Sequence, residues 1–286
     1  MHMNGKTVRF QPALITATRE QLRLYQEFRE NELDLNMARK VQQQLLQREG
    51  REVLGVDVAT VCVPARELGG DFYDLLPYGS GRVALALGDV SGKGTAAALI
   101  AALAMGILRA NTVDHGASAP DVLATMNDRI HGARLDARFV VMLFGVLDTR
   151  THQLTLANAG NPYPFLLRGR GIEQIAVSGI PLGLMRGTRY DAVSLDLQLG
   201  DILVFASDGI LECQNTEQEA FGARRLGAVL SSLPQDTPAE DISSAILGAT
   251  DEFIRHTSSP DDDRSLLVLK VTDESWEDFS GLPAIY

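Results

Sequence analysis

Four acidic residues share one local setting, an aspartate at the end of an apolar strand and beside a turn. Asp71 follows Gly69-Gly70 in "ELGGDFYDLL", and Asp89 closes "RVALALGD" before running into "VSGKG". Asp208 ends "DILVFASD" ahead of Gly209, and Asp262 lies in "SPDDDRSLLVLK", just before the last apolar run. Taken singly, each fits a turn or cap residue. Brought together they would need compensation, because two carboxylates about 4 Å apart repel by about 4 kcal/mol at an effective dielectric of about 20. Lys93 is the only lysine near them in sequence, so the chain offers no evident counter-charge. Hard divalent cations with oxygen ligands, Mg2+ or Mn2+, are the natural solution. The five histidines do not cluster at zinc spacing. Two bridged ions would lower the pKa of a shared water and clamp phosphate oxygens.

The glycines after Asp89 raise a competing chemistry. "GDVSGKGTAAAL" (88–99) looks like a phosphate-binding loop ahead of a helix. The Walker pattern GxxxxGK[ST] nevertheless fails twice: one residue too few separates Gly88 from Gly92-Lys93, and Gly94 follows the lysine. A nucleotide-binding kinase or ATPase is disfavoured. Gly92 and Gly94 still permit close backbone approach, and the helix after them turns its N-terminus toward the loop.

The 286 residues allow one large domain or two modest ones, and 45% hydrophobic with 22% charged residues supports a sizeable core. A net charge of −11 argues against a nucleic-acid partner but is compatible with phosphorylated substrates if metal supplies the local positive charge. Cys62 and Cys213 match no metal or redox spacing, so the expected compartment is the reducing cytoplasm. Met1 to Arg9 lacks the apolar core of a secretory signal. The longest apolar run, Ala96 to Leu108, is short for a bilayer span and reads as a buried helix, so no membrane contact is expected in this segment.

These residues must be positioned by a scaffold, and its texture changes along the chain. Residues 19–48 contain no Gly or Pro and predict a long helix, with Thr18 and Gln21 offering a capping box at its start. A heptad seam runs through Leu24, Phe28, Asn31, Leu35, Ala38, Gln42 and Leu45, although two of its positions are polar Asn and Gln. A helix lying on its own domain fits this segment equally well. After Glu52 short β-like runs follow at 53–63, 71–77, 82–89, 138–147, 152–159, 189–197, 201–207 and 264–272, with helices at 95–111, 119–132 and 239–256. Hairpins are expected through "DTRTH" and through "QLGD", which implies antiparallel pairing. Runs of strands broken by helical blocks indicate an α+β fold. The tail 273–286 is acidic and expected to be loose.

Six motifs then stand in a familiar order: "ARELGGDFYD" (65–74), "LALGDVSGKGTAAAL" (85–99), "ANAGNPYPFLL" (157–167), "GIPLGL" (179–184), "VFASDGILE" (204–212) and "DDDRSLLVLKV" (261–271). Across roughly residues 38–271 the chain resembles the SpoIIE/RsbU-type branch of the metal-dependent (PPM, type 2C-like) serine/threonine phosphatases. The resemblance implies two packed antiparallel β-sheets flanked by helices, preceded here by the long N-terminal helix. It also implies hydrolysis of phosphoserine or phosphothreonine on a protein, by attack of a hydroxide held between two Mn2+ or Mg2+ ions. By the same resemblance Asp89 bridges the ions, the Val90 carbonyl is a backbone ligand, and Asp71, Asp208 and Asp262 supply the remaining carboxylates.

Certain positions depart from the family pattern or stay open. Ser265 stands where Thr is common, and Asn161 makes "AGN" of the commoner "AGH". The run Asp261-Asp262-Asp263 leaves the ligand uncertain by one register. Arg66 either orients substrate phosphate or makes a surface ion pair, Lys93 reads as a loop or substrate-recognition residue, and Asp74 either contacts a metal-bound water or caps the turn. The implied layout is a flexible stretch at 1–18, a helical linker and possible homodimerisation element at 19–48, a phosphatase domain at 49–272 and the tail. "ARKVQQQLL" (38–46) matches the helix that joins such domains to an upstream sensor, so the chain is expected to be either a piece of a longer protein, the favoured reading, or a stand-alone phosphatase. The expected partner is a phosphorylated regulatory protein, typically an anti-sigma-factor antagonist of the STAS type. The alternative is a non-catalytic regulatory module that binds such a partner through a degenerate phosphatase fold, which lost metal aspartates would betray. None is missing.

Overall fold

The computed structural model describes residues 12–46, 55–112, 116–135, 138–257 and 262–272. The N-terminal stretch to residue 11, Asp261 and the expected tail at 273–286 lie outside the described residues. In chain order the elements are α1 (Pro12–Leu46), β1 (Val56–Val63), β2 (Phe72–Pro77), β3 (Arg82–Val90), α2 (Thr95–Thr112), α3 (Ala119–Gly132), β4 (Val140–Asp148) and β5 (Gln153–Ala159). There follow β6 (Phe165–Arg168), β7 (Gly171–Gln174), β8 (Ala192–Asp196), β9 (Ile202–Ala206), α4 (Asp208–Leu211), α5 (Gly222–Ser232), α6 (Ala239–Phe253) and β10 (Arg264–Val271). The chain divides into two units, Met1–Val41 and Gln42–Tyr286.

Within the second unit the strands form two five-stranded antiparallel sheets, in the orders β1-β10-β9-β6-β7 and β2-β3-β4-β5-β8. Leu85, Leu87, Leu143 and Leu156 of the second sheet pack with Leu203, Phe205, Leu267 and Leu269 of the first. The other face of the second sheet, with Phe72, Ala86, Met142 and Phe144, is covered by α2 and α3 through residues such as Met105, Leu108, Leu123 and Met126. Val204, Ala206, Leu266 and Val268 meet α5 and α6 on the outer face of the first sheet. Strands covered on both faces have no reason to alternate. Accordingly β9 and β10 are buried at every residue. The expected α+β sandwich of two sheets flanked by helices is what forms.

By length and composition α2 would be apolar enough to cross a membrane. In the fold its stripe of Ala97, Ala101, Ala104, Met105 and Leu108 enters the core, which is the buried helix expected from the sequence.

The hairpin through "DTRTH" forms, with Met142 to Asp148 registered against Ala159 to Gln153. The hairpin expected through "QLGD" does not. β8 pairs with β5 in the second sheet, whereas β9 lies between β10 and β6 in the first. Gly200 does take a turn conformation, with φ of +81°, but the turn carries the chain from one sheet to the other. Burial decides the matter: β8 alternates as an edge strand should, while β9 is buried throughout. The capping box fails too, because α1 begins at Pro12 and Thr18 lies within the helix. Strands β6 and β7 were not expected, being only four residues each, and α5 was missed because Gly222 and Gly227 dilute its helical pattern. Along α1 every residue from Glu20 to Val41 is exposed except half-buried Leu35, so Leu24 and Phe28 of the heptad seam face solvent.

Candidate metal centre

The strand ends deliver the aspartates. Asp71 immediately precedes β2, Asp89 is the penultimate residue of β3, Asp208 opens α4 with one residue between it and the end of β9, and Asp262 lies two residues before β10. Asp89, Asp208 and Asp262 line one cavity of about 590 Å³. Asp71 lies deeper, 1% exposed, and its Oδ2 is buried without a hydrogen-bond partner. Val90 is wholly buried beside Asp89.

These groups act on one another. Burial pushes the Asp71 carboxyl well above the usual range, and the charges of Asp89, Asp263 and Asp208 push it further, against a smaller opposing pull from the Ser265 hydroxyl. Asp89 is raised to about 7, first by burial and then by Asp208 and Asp262, with Asp71 and the Val90 backbone opposing. Asp208 moves the same way, by burial and then by Asp262. An all-oxygen donor set with an orphaned buried carboxylate oxygen and mutual repulsion suits a hard divalent cation. Among the described residues, no three carboxylate, imidazole or thiol groups come close enough to form a ready-made ligand cluster. The expected convergence is thus of neighbours around a cavity and not of a closed cage. Each is partly committed elsewhere: Asp208 Oδ1 accepts from Gly209 N at 2.8 Å, and Asp262 Oδ1 from Asp263 N at 3.1 Å.

Two glycines lead into Asp71 because nothing larger fits. A Cβ on Gly69 would stand 2.6 Å from Asp263 Oδ2, and one on Gly70 would stand 3.0 Å from the Val90 carbonyl oxygen and 3.1 Å from Asp89 Oδ1. Within the aspartate run, Asp262 faces the cavity, while Asp263 turns inward to the loop. The Asp263 carboxylate accepts from Ala65 N at 2.7 Å, Gly70 N at 2.6 Å and, more loosely, Asp71 N at 3.4 Å. Its positioning role was missed from the sequence, where it reads only as one of three like residues. From the other side Gln42 grips the same loop, donating from Nε2 to the Gly69 carbonyl at 2.7 Å and accepting the Gly69 N–H at 3.3 Å. Beneath the loop, the Cys62 Sγ lies 3.8 Å from the Asp71 carbonyl, and burial followed by the Asp71 charge pushes its thiol up to about 12.

The remaining candidates fall into place around this centre. Lys93 Nζ lies 3.2 Å from Asp262 Oδ2, so the protein does supply one counter-charge that its sequence did not advertise. Asp74 is buried and receives Arg109 Nε at 2.6 Å, while Arg109 Nη2 donates to the Leu45 carbonyl. That ion pair gives Asp74 a structural role, and its Oδ1 also accepts from the Leu75 N–H at 3.1 Å. Arg66 approaches the Gly94 turn, its Nη1 4.0 Å from where a Cβ would lie. The turn after Val90 is sewn to the segment before β4 by Ser91 N to Phe139 O, Phe139 N to Ser91 Oγ, and Arg138 Nη1 to Ser91 O. Asn161 lines the cavity, and the buried Ser265 hydroxyl lies near Asp71 without closing a well-aligned hydrogen bond.

Comparison with known proteins fits this architecture. The stage II sporulation protein E (SpoIIE) family matches residues 79–272, more than half of the chain. The chain belongs to that family. The match begins after Asp71, so the glycine loop rests on its own geometry. Protein IcfG of Synechocystis sp. is 28% identical over 71% of this chain and 36% of its own length. Phosphoserine phosphatase RsbU of Bacillus subtilis is 28% identical over 63% of this chain and 54% of its own length. The chain thus spans about a third to a half of these curated relatives. Among solved structures, the SiaA-PP2C domain of Pseudomonas aeruginosa aligns with a TM-score of 0.74, at 19% identity, over 85% of this chain and 98% of that one. The RsbU and RsbW domains of Rv1364c from Mycobacterium tuberculosis align with a TM-score of 0.65 and 26% identity, over 81% of this chain and 65% of that one. This SpoIIE-family chain has the fold of the PP2C-type serine/threonine phosphatases.

Proposed function

We propose that the chain is a metal-dependent protein serine/threonine phosphatase. The observation that carries this is the buried, partnerless Oδ2 of Asp71 next to carboxylates raised by mutual repulsion, all at one end of a PP2C-type sandwich. Asp71, Asp89, Asp208, Asp262 and the Val90 carbonyl would hold two Mn2+ or Mg2+ ions. When bound, such ions would supply Lewis acidity and neutralise charge developing on the phosphoryl oxygens. The residues themselves set the site: the Asp263 carboxylate and Gln42 fix the loop that presents Asp71, and Lys93 steadies Asp262. The cavity admits a phosphorylated side chain beside Asp89, Asp208 and Asp262.

The substrate fitting this proposal is a phosphorylated regulatory protein in the cytoplasm, of the STAS type. One of the relatives is named phosphoserine phosphatase, which supports that class of chemistry. Helix α1, with Leu24, Phe28, Met37 and Val41 exposed, would join two copies of the chain. Hydrolysis of p-nitrophenyl phosphate with and without Mn2+, for the parent and Asp89→Asn, tests the proposal. Metal-dependent turnover lost in the variant supports it; no turnover in the parent returns the choice to a non-catalytic binding module.

A further inference from the structure

One polar side chain in the cavity has no use in the scheme above. Asn161 follows β5 and Gly160, whose φ is +85° and where a Cβ would meet Pro181 Cγ at 2.8 Å. Its backbone is held at both ends by the buried Asn158. The Asn161 N–H donates to Asn158 Oδ1 at 2.8 Å, and its carbonyl accepts from Asn158 Nδ2 at 2.8 Å. The same Asn158 amide donates to the Val177 carbonyl at 2.8 Å, anchoring the corner to the chain beyond β7. The Asn161 side chain itself is 5% exposed, and its Nδ2 is buried with no acceptor. A rigidly mounted donor left unpaired at the edge of a cavity is the arrangement expected of a group that pairs with a ligand, because buried donors are otherwise satisfied.

Position decides what the ligand offers. Asp89 is registered against Val141 in β4, and Ala159 of β5 against Met142 of the same strand. Gly88 and Ala159 are both registered against Met142 of β4, so the end of β5 that leads to Asn161 stands two strand spacings, about 10 Å, from the strand that carries Asp89. A phosphoryl group at the aspartates is too compact to reach that far. Extended peptide advances about 3.3–3.6 Å per residue, so a residue two or three positions from the phosphoserine would lie opposite Asn161. The same cavity is lined by apolar Phe139, Val141, Pro162 and Tyr163 together with polar Ser91 and Gln174. A peptide main chain brings carbonyl acceptors in any sequence, and apolar walls accommodate its side chains.

We propose that Asn161 is a substrate-contacting residue that donates from its side-chain amide to a main-chain carbonyl of the peptide flanking the phosphorylated serine. The contact makes the site prefer phosphorylated protein over small phosphate esters. This inference rests on the phosphatase proposal, and its test separates the two.

The variant is Asn161→Leu, which keeps the branched heavy-atom skeleton and removes the unpaired donor, with a thermal midpoint at or above the parent's showing that it folds. Two substrates are compared with Mn2+: p-nitrophenyl phosphate and phosphoserine flanked by three alanines on each side. The expected result is that the ratio of kcat/KM for peptide over ester falls about tenfold, as for one lost hydrogen bond, with the change carried by the peptide KM. An unchanged ratio overturns the proposal, whether both substrates fall together or neither does. Binding of the corresponding phosphonate peptide, fluorescein-labelled and read by anisotropy, should weaken by a similar factor. If the parent shows no Mn2+-dependent turnover, the phosphatase proposal fails while anisotropy still decides whether Asn161 holds the peptide. Equal binding to parent and variant overturns the contact.

Discussion

Asp71 and Asp201 are both buried aspartates at the start of an apolar strand, and their surroundings differ completely. Asp201, 3% exposed, receives Arg168 Nε at 3.0 Å and Nη2 at 2.6 Å, and Gln198 N at 2.7 Å. Its charge is satisfied, and its task is to fasten the turn where the chain changes sheets. Asp71, 1% exposed, has an oxygen without any donor and is pressed by other carboxylates. Burial alone distinguishes nothing here. What separates a fastening carboxylate from a ligand in waiting is whether the protein completes its hydrogen bonds.

The comparison can be broken most sharply at Asp89. Asp89→Asn should reduce Mn2+-dependent ester hydrolysis on the order of 1000-fold, the scale of losing a group that stabilises transition-state charge. The same variant should melt higher than the parent when both are metal-free, since one repelling charge is gone. A lower midpoint would show that Asp89 belongs with Asp201. Next in size is Asp263→Ala, which strips the acceptor from Ala65, Gly70 and Asp71 N–H groups. It should cost about 3 kcal/mol in denaturant unfolding and weaken Mn2+ binding measured by calorimetry. Asp201→Asn should cost about 2 kcal/mol while leaving Mn2+ binding as in the parent.

A smaller effect follows from pH. The folded-state pKa of Asp89 is about 7 against an ordinary 3.8, so the metal-free folded state binds more protons than the unfolded one between those values. Stability is fully present below the ordinary value and is lost as pH rises through about 7. The metal-free thermal midpoint should therefore fall across that window, and Mn2+ should restore it, by about 2.7 kcal/mol at a hundredfold excess over Kd. Smallest is Gln42→Ala, which should speed amide exchange at Gly69 with a loss of about 1 kcal/mol locally.

Much of this was legible in the sequence, for physical reasons. Apolar runs that end in Asp89 and Asp208, and one that begins just after Asp262, marked strands with carboxylates at their ends. The order of six motifs supplied the sandwich. The "QLGD" turn misled because Gly200 reports a local conformation and says nothing about which strand the chain meets next. Asp263 was illegible because its value lies in three N–H groups nearly two hundred residues away, at Ala65, Gly70 and Asp71. Lys93 beside Asp262 and Arg109 beside Asp74 were hidden in the same way, since ion pairs between distant segments leave no local pattern.

The thiol under the glycine loop offers a way to watch this region without touching it. With its proton held to about pH 12, Cys62 is almost never a thiolate at neutral pH, and its sulfur is packed against the Asp71 carbonyl. A disulfide-exchange reagent should therefore modify it slowly while the loop is seated and faster when the loop lifts away. The labelling rate becomes a clock for that excursion, with the half-buried Cys213, away from the loop, as the reference hand on the same molecule.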